Sequence, residues 1–276
     1  MNDKYIGIIT NFGCHYTCPY CIVKNNNLDI PRTTINGLDS LWFEIVRNQC
    51  NWVSLSGGGD PLWHYSEHKD WYDKFFEITE DLSIELHTSL PNVAGAPYDA
   101  FNRVVYHLHS LEQLYSIKRQ NCAIVRVVFV VTENFTEDLI NRIAVFCANS
   151  DDIDELSFRQ MVDNHYQETY YCYEYLKAGH KKLWWYIEQN DYNLYYCQNK
   201  VYTEYKNIGR WEISIILKWL RKIFHKKPDP CDGCDMAMLT SWISCDTCVD
   251  GCNKRKATEK ELDDFMKYRG SLIGKE

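Results

Sequence analysis

No apolar stretch in this 276-residue chain is long enough to cross a bilayer. The longest, Cys122–Val131, is interrupted by Arg126 and falls far short of the roughly 20 residues a spanning helix needs. The N-terminus lacks the basic-then-apolar pattern of a secretory signal, so the reading is of a cytoplasmic protein with no membrane partner. Prolines (7) and glycines (13) are few, and neither a long repeat nor a low-complexity linker occurs, which excludes solenoids and long tethers. What remains is 45% hydrophobic and 25% charged, an ordinary globular composition. The length suits one large domain, or a medium one with an appendage. Cysteine is the exception to this economy. There are 13, an odd number, and in a reducing compartment such a count favours metal ligation over disulfides.

Acidic residues exceed basic ones by 38 to 30, but unevenly. Residues 1–199 carry 26 Asp and Glu against 15 Lys and Arg, whereas residues 200–276 carry 12 against 15. Lys218, Arg221, Lys222, Lys226 and Lys227 make up much of the basic end. They read as the solvated face and cation-rich last turn of a helix, or as a stretch that meets a phosphate backbone.

Short β-like runs alternate with helical patterns from residue 5 to about 160. The runs are Tyr5–Thr10, Trp52–Ser56, Ser83–Thr88, Arg103–Leu108, Ala123–Val131 and Glu155–Gln160; helices are expected near 38–49, 65–80, 110–119 and 136–149. Such alternation argues for βαβ units around a parallel sheet, whether a barrel or an open doubly wound sheet. Residues 166–227 are rich in tyrosine, tryptophan and lysine and are expected to be helical, with an apolar face over Glu212–Phe224. Pro228 and Pro230 break the chain before a second cysteine group, and Thr258–Tyr268 resembles a short capped helix. The organisation read here is therefore an α/β domain over 1–165, a helical extension over 166–227, a cysteine-rich region over 228–256 and a tail over 257–276.

Three patterns carry chemistry. Cys14, Cys18 and Cys21 form a C-x3-C-x2-C loop that leaves the first β-like run through Gly13, with Tyr20 before the last cysteine. Three thiolates on one loop can hold three irons of a [4Fe–4S] cube and leave the fourth open. The second pattern is Ser56-Gly57-Gly58-Gly59-Asp60-Pro61, directly after the second run. Its glycines allow close approach of backbone to a ligand, and Asp60 offers an acceptor for an ammonium group. The third is Cys231-x2-Cys234-x10-Cys245-x2-Cys248-x3-Cys252, paired knuckles that bind either structural zinc or a second iron–sulfur cluster, with Cys197 as a candidate distant ligand. Cys50, Cys122, Cys147 and Cys172 stand singly and read as small buried hydrophobes.

On the first two patterns the chain resembles the radical S-adenosylmethionine (radical SAM) superfamily, whose cluster motif is C-x3-C-x2-C with an aromatic residue before the third cysteine. The resemblance covers roughly residues 5–160. It implies a partial (βα)6 TIM-type barrel, with the C-terminal cysteines as a twitch- or SPASM-like accessory that falls short of a full SPASM set. The family's Gly-Gly-Glu-Pro element, which binds the methionine amino group, is matched with one extra glycine and with Asp60 in place of glutamate. Tyr20 would pack against a planar ligand. Thr88, His109, Ser110 and Arg126 lie where the family places polar groups on the ribose and carboxylate of the cosubstrate, although a structural carboxylate would serve Arg126 equally. His107 and His109 are placed to touch substrate.

The implied activity is reductive cleavage of S-adenosylmethionine to a 5′-deoxyadenosyl radical that takes hydrogen from a substrate, with flavodoxin or ferredoxin as electron donor. Substrate candidates are a peptide or protein side chain, or a nucleotide or modified DNA base. Thirteen residues precede Cys14, too few for a leader-peptide-binding domain, which weighs against a peptide. The alternative is a non-catalytic zinc-binding protein that grips nucleic acid.

Overall fold

The computed structural model describes residues 3–15, 18, 20–188 and 194–209, all within the first of two units, Met1–Arg210. The five cysteines from Cys231 to Cys252, the helices expected at 212–224 and 258–268, and the basic stretch lie outside the described residues. Six strands form where the apolar runs predict them: β1 (Tyr5–Thr10), β2 (Trp52–Gly57), β3 (Ser83–Thr88), β4 (Arg103–Leu108), β5 (Ile124–Val131) and β6 (Glu155–Gln160). Helices α1 (Ile22–Asn25), α2 (Leu41–Asn48), α3 (Lys69–Ile78), α4 (Leu111–Ser116) and α5 (Glu137–Ala148) fill the crossovers. The caps are local chemistry. Thr136 and Ser110 precede α5 and α4, and their hydroxyls accept the backbone N–H of Leu139 and Gln113.

The expectation of a helical stretch after residue 165 is corrected. Among the described residues there, α6 (Tyr173–Gly179) is the one α-helix, with a 3-10 turn over Tyr205–Asn207. β7 (Trp185–Ile187), β8 (Tyr195–Cys197) and β9 (Lys200–Tyr202) extend the sheet instead. Aromatic residues suit a half-buried pleated surface as well as a helix face, and pairing with β6 and β1 decides the outcome. The result is a nine-stranded α/β sheet in the order β7-β6-β5-β4-β3-β2-β1-β8-β9, parallel throughout except for the β8–β9 pair. It is an open, mostly parallel sheet, consistent with a partial TIM-type barrel. No helix among the described residues is long and apolar enough to cross a membrane.

One strand face packs against the helices: Ile6, Ile8, Val53, Leu55, Leu86, Val104, Tyr106, Val127, Phe129 and Phe158 are essentially inaccessible. The opposite parity is mixed: Ile9, Val105, Val128 and Val130 share it with Ser54, Glu85, His87, Arg103, His107, Arg126, Glu155, Ser157 and Arg159. A fully covered parallel sheet is normally apolar on both faces. Here the second face lines a cavity.

Candidate functional site

The cysteine loop leaves the C-terminal end of β1, the edge at which α/β proteins bind ligands. Gly13 has φ +112°, a conformation that a side chain would strain. Cys14 is exposed, while Cys18 and Cys21 are partly covered. Cys21 N–H donates to the Cys18 carbonyl at 3.1 Å and its residue caps α1. Burial pushes the Cys18 thiol up to about 11, and the neighbouring Cys21 and Cys14 thiols push in the same direction. A cationic centre that displaces the Cys18 proton relieves that penalty. Among the described residues no three His, Cys, Asp or Glu side chains converge to hold a single metal ion. Three thiols on one loop are nonetheless the donor set that a [4Fe–4S] cube with one open iron takes.

The glycine loop is bonded to this loop through the backbone. Gly58 N–H donates to Thr10 O at 2.7 Å and Asp60 N–H to Gly13 O at 3.0 Å. Gly59 lies so near that a Cβ on it would come 2.1 Å from Gly13 O. Asp60 itself plays a different part from the one expected. It is 3% exposed. Its Oδ1 accepts Leu62 N–H (3.0 Å) and Thr88 Oγ1–H (2.8 Å), and its Oδ2 accepts the N–H (2.7 Å) and hydroxyl (2.8 Å) of Ser89. Four donors use the acceptor capacity of a carboxylate. Asp60 thus ties the glycine loop to the end of β3 and has no lone pair left for an ammonium group. We expect Asp60→Ala to cost about 3 kcal/mol, since charge-assisted bonds contribute about 1.5–3 kcal/mol each and buried donors would be left unmet. Urea unfolding measures this; a loss under 1 kcal/mol would contradict the strut role.

Tyr20 and His109 are brought together: the Tyr20 hydroxyl bonds His109 Nδ1 and the rings stack at 5.4 Å. His109 Nε2 lies 3.8 Å from Cys18 Sγ. Ser110 is occupied locally. Its hydroxyl accepts Gln113 N–H at 3.3 Å and helps hold the Glu112 carboxyl below its usual range. Thr88 is the partner of Asp60 already described. Cys197 is buried beside Ile9, Leu28, Ile30 and Ile208, with its thiol pushed up to about 11 by burial; the cysteines it was read with lie outside the described residues.

Arg126 is corrected as well. Its Nε and Nη2 both lie 2.6 Å from Glu155 Oε2, beside Tyr5 and Arg103 in a 610 Å³ pocket at the N-terminal edge of the sheet. It thus has its own structural carboxylate, on the far side from the cysteine loop. We expect Arg126→Met to lower the melting temperature, because Glu155 would lose the guanidinium that meets it from β5. An unchanged melting temperature in that variant would contradict the structural pairing.

A cavity of 520 Å³ lies at the inner face, lined from β1 (Ile9), β2 (Ser54, Ser56), β3 (His87), β4 (His107) and β6 (Arg159), with Tyr20 at its edge. Tyr205 closes part of it, donating to Gly57 O at 3.0 Å. Beneath the cavity, Glu85 is fully buried and accepts from Arg103 Nη1 (3.0 Å) and His87 Nε2 (2.9 Å). Arg103 Nε also lies 3.2 Å from Glu155 Oε2, an ion-pair distance without hydrogen-bond alignment. Glu85, His87, Arg103 and Arg159 were not singled out from the sequence. The usable signal was their parity: Glu85 and His87 on β3, Arg103 and His107 on β4, and Glu155 and Arg159 on β6 are each an even number of residues apart, which puts each pair on one face.

No protein-family model matches this chain, and no curated protein matches it. Among solved structures it is similar to the crystal structure of Streptococcus suis SuiB bound to S-adenosylmethionine, with 13% identity and a TM-score of 0.47. The likeness covers 68% of this chain and 50% of that one, so the chain spans half the length of this neighbour.

Proposed function

We propose that the protein is a radical S-adenosylmethionine enzyme, with Cys14, Cys18 and Cys21 as the protein ligands of a [4Fe–4S] cluster. The observation that carries this is the direct backbone bond between the cysteine loop and the glycine loop, Asp60 N–H to Gly13 O at 3.0 Å, at the rim of a polar cavity. When bound, the cluster supplies one electron for cleavage of the sulfonium to methionine and a 5′-deoxyadenosyl radical. The chain's own residues hold and orient. Backbone of Gly57, Gly58 and Gly59 offers close contacts to the amino-acid end of the cosubstrate, a part Asp60 supports from beneath. Tyr20, fixed against His109, borders the cavity in which a substrate would lie. The enclosed walls keep stray hydrogen donors from the radical.

In this reading Cys231, Cys234, Cys245, Cys248 and Cys252 hold an auxiliary cluster or zinc. A flavodoxin- or ferredoxin-type donor supplies electrons in the cytoplasm. The substrate belongs to the peptide or nucleotide classes. Anaerobic reconstitution with iron and sulfide, then dithionite and S-adenosylmethionine, tests it. The expected result is a brown, oxygen-sensitive protein that forms 5′-deoxyadenosine. A colourless zinc protein that forms none would favour the non-catalytic nucleic-acid-binding alternative.

A further inference from the structure

We propose that Glu85, His87 and His107 form a proton relay in the cavity floor: His107 Nδ1 takes a proton from a group bound in the cavity and the resulting charge settles on His87. The geometry is a continuous chain, Arg103 Nη1 to Glu85 Oε2 at 3.0 Å, His87 Nε2 to Glu85 Oε1 at 2.9 Å, and His87 Nδ1 to His107 Nε2 at 2.9 Å. Burial would raise the Glu85 carboxyl, but His87 and Arg103 outweigh it and hold it well below the usual range. Glu85 therefore only accepts, and His87 Nε2 carries a hydrogen.

Two imidazole nitrogens 2.9 Å apart share one proton. In the neutral pair, His107 Nε2–H donates to His87 Nδ1, which leaves the His107 Nδ1 lone pair without a protein partner among the described residues. Uptake is then balanced. A bound X–H gives its proton to His107 Nδ1, the Nε2 proton crosses to His87 Nδ1, and X keeps the electron pair as an anion. His107 ends neutral with Nδ1–H, and His87 ends as an imidazolium against Glu85. No electron moves. Burial, then the charges of His87 and Arg159, push His107 well below the imidazole range, so it does not hold the charge itself.

Other charged groups act on the pair. Arg103 shares β4 with His107, and His109 follows the end of that strand. Arg159 on β6 faces His107 and would stabilise X⁻. β5 contributes Arg126, already paired with Glu155. Across the cavity lie His165, Glu204 and Lys206. Only the naming of X–H as a substrate group rests on the function proposed above.

Full-length protein labelled with ¹⁵N-histidine tests the relay through multiple-bond ¹H–¹⁵N spectra from pH 5 to 9, assigned with His87→Asn and His107→Asn. The expected result is one joint transition in which His87 becomes the imidazolium while His107 switches from Nε2–H to Nδ1–H. Glu85→Gln should move that transition down by about one pH unit or more, because the imidazolium loses its counter-charge. Independent titration of the rings, or charging of His107, overturns the proposal. Wild-type spectra decide alone if Glu85→Gln fails to fold. A failed relay with 5′-deoxyadenosine still formed leaves the enzyme reading intact, and a working relay without that product does the reverse.

Discussion

A variant carrying Cys14→Ala, Cys18→Ala and Cys21→Ala together is expected to form no 5′-deoxyadenosine above a protein-free control. Reduced cleavage of the sulfonium needs an iron with an open position, and three thiolates on one loop are the ligands that leave it open. The fold should survive the change. Cys14 is exposed, and β1 is held by its inaccessible Ile6 and Ile8 and by six paired residues with β2. Circular dichroism and melting temperature should therefore stay close to those of the unaltered protein while activity disappears. Iron analysis on the same variant adds a second readout: residual iron would belong to the C-terminal cysteines, residual zinc would identify a structural knuckle, and neither would leave that region unmetallated. Continued product formation would refute the ligand assignment.

Gly59→Ala is expected to reduce cleavage about 100-fold, the cost of misplacing reacting groups by roughly an ångström. The added Cβ would meet Gly13 O at 2.1 Å, a backbone atom that cannot swing aside, so the two loops must separate. Gly58→Ala is the control. Its Cβ would meet Ile30 at Cγ2 (2.6 Å) and Cβ (2.8 Å), so Ile30 must shift, but the contact between the two loops is not itself forced apart and a smaller loss of cleavage is expected. Initial rates and iron content separate the effects: Gly59→Ala should retain iron yet cleave slowly. Equal rates in the two variants would show that the contact between the loops does not position the cosubstrate.

The central strands were legible in the sequence because buried parallel strands leave short apolar, β-branched-rich runs such as Val127–Val131, bounded by turn residues. β7, β8 and β9 were not. Each is three residues long, too short for a period, and their identity comes from neighbours far away in sequence, as in the pairing of Gly7 with Tyr195. The two loops at the head of the sheet were readable from spacing and glycine content. The fate of Asp60 was not, because Thr88 and Ser89 approach it only once β3 lies beside β2. Arg126 shows the same limit: an arginine in an apolar strand demands a carboxylate, and only the β5–β6 register names Glu155.

The hairpin that follows β8 has a further consequence. Gln198 and Asn199 both have positive φ, 48° and 61°, as a tight two-residue connection requires. Asn199 is clasped by Ser40 N–H and itself donates to Asn36 O, while Thr34 donates to Gln198. β1, from which the cysteine loop departs, is thereby flanked on both sides by β2 and β8 and offers no raw border to another molecule. The outermost strands of the described sheet, β7 and β9, span only three residues each. Such short margins give a second chain little on which to template, so the architecture protects itself against strand-by-strand aggregation.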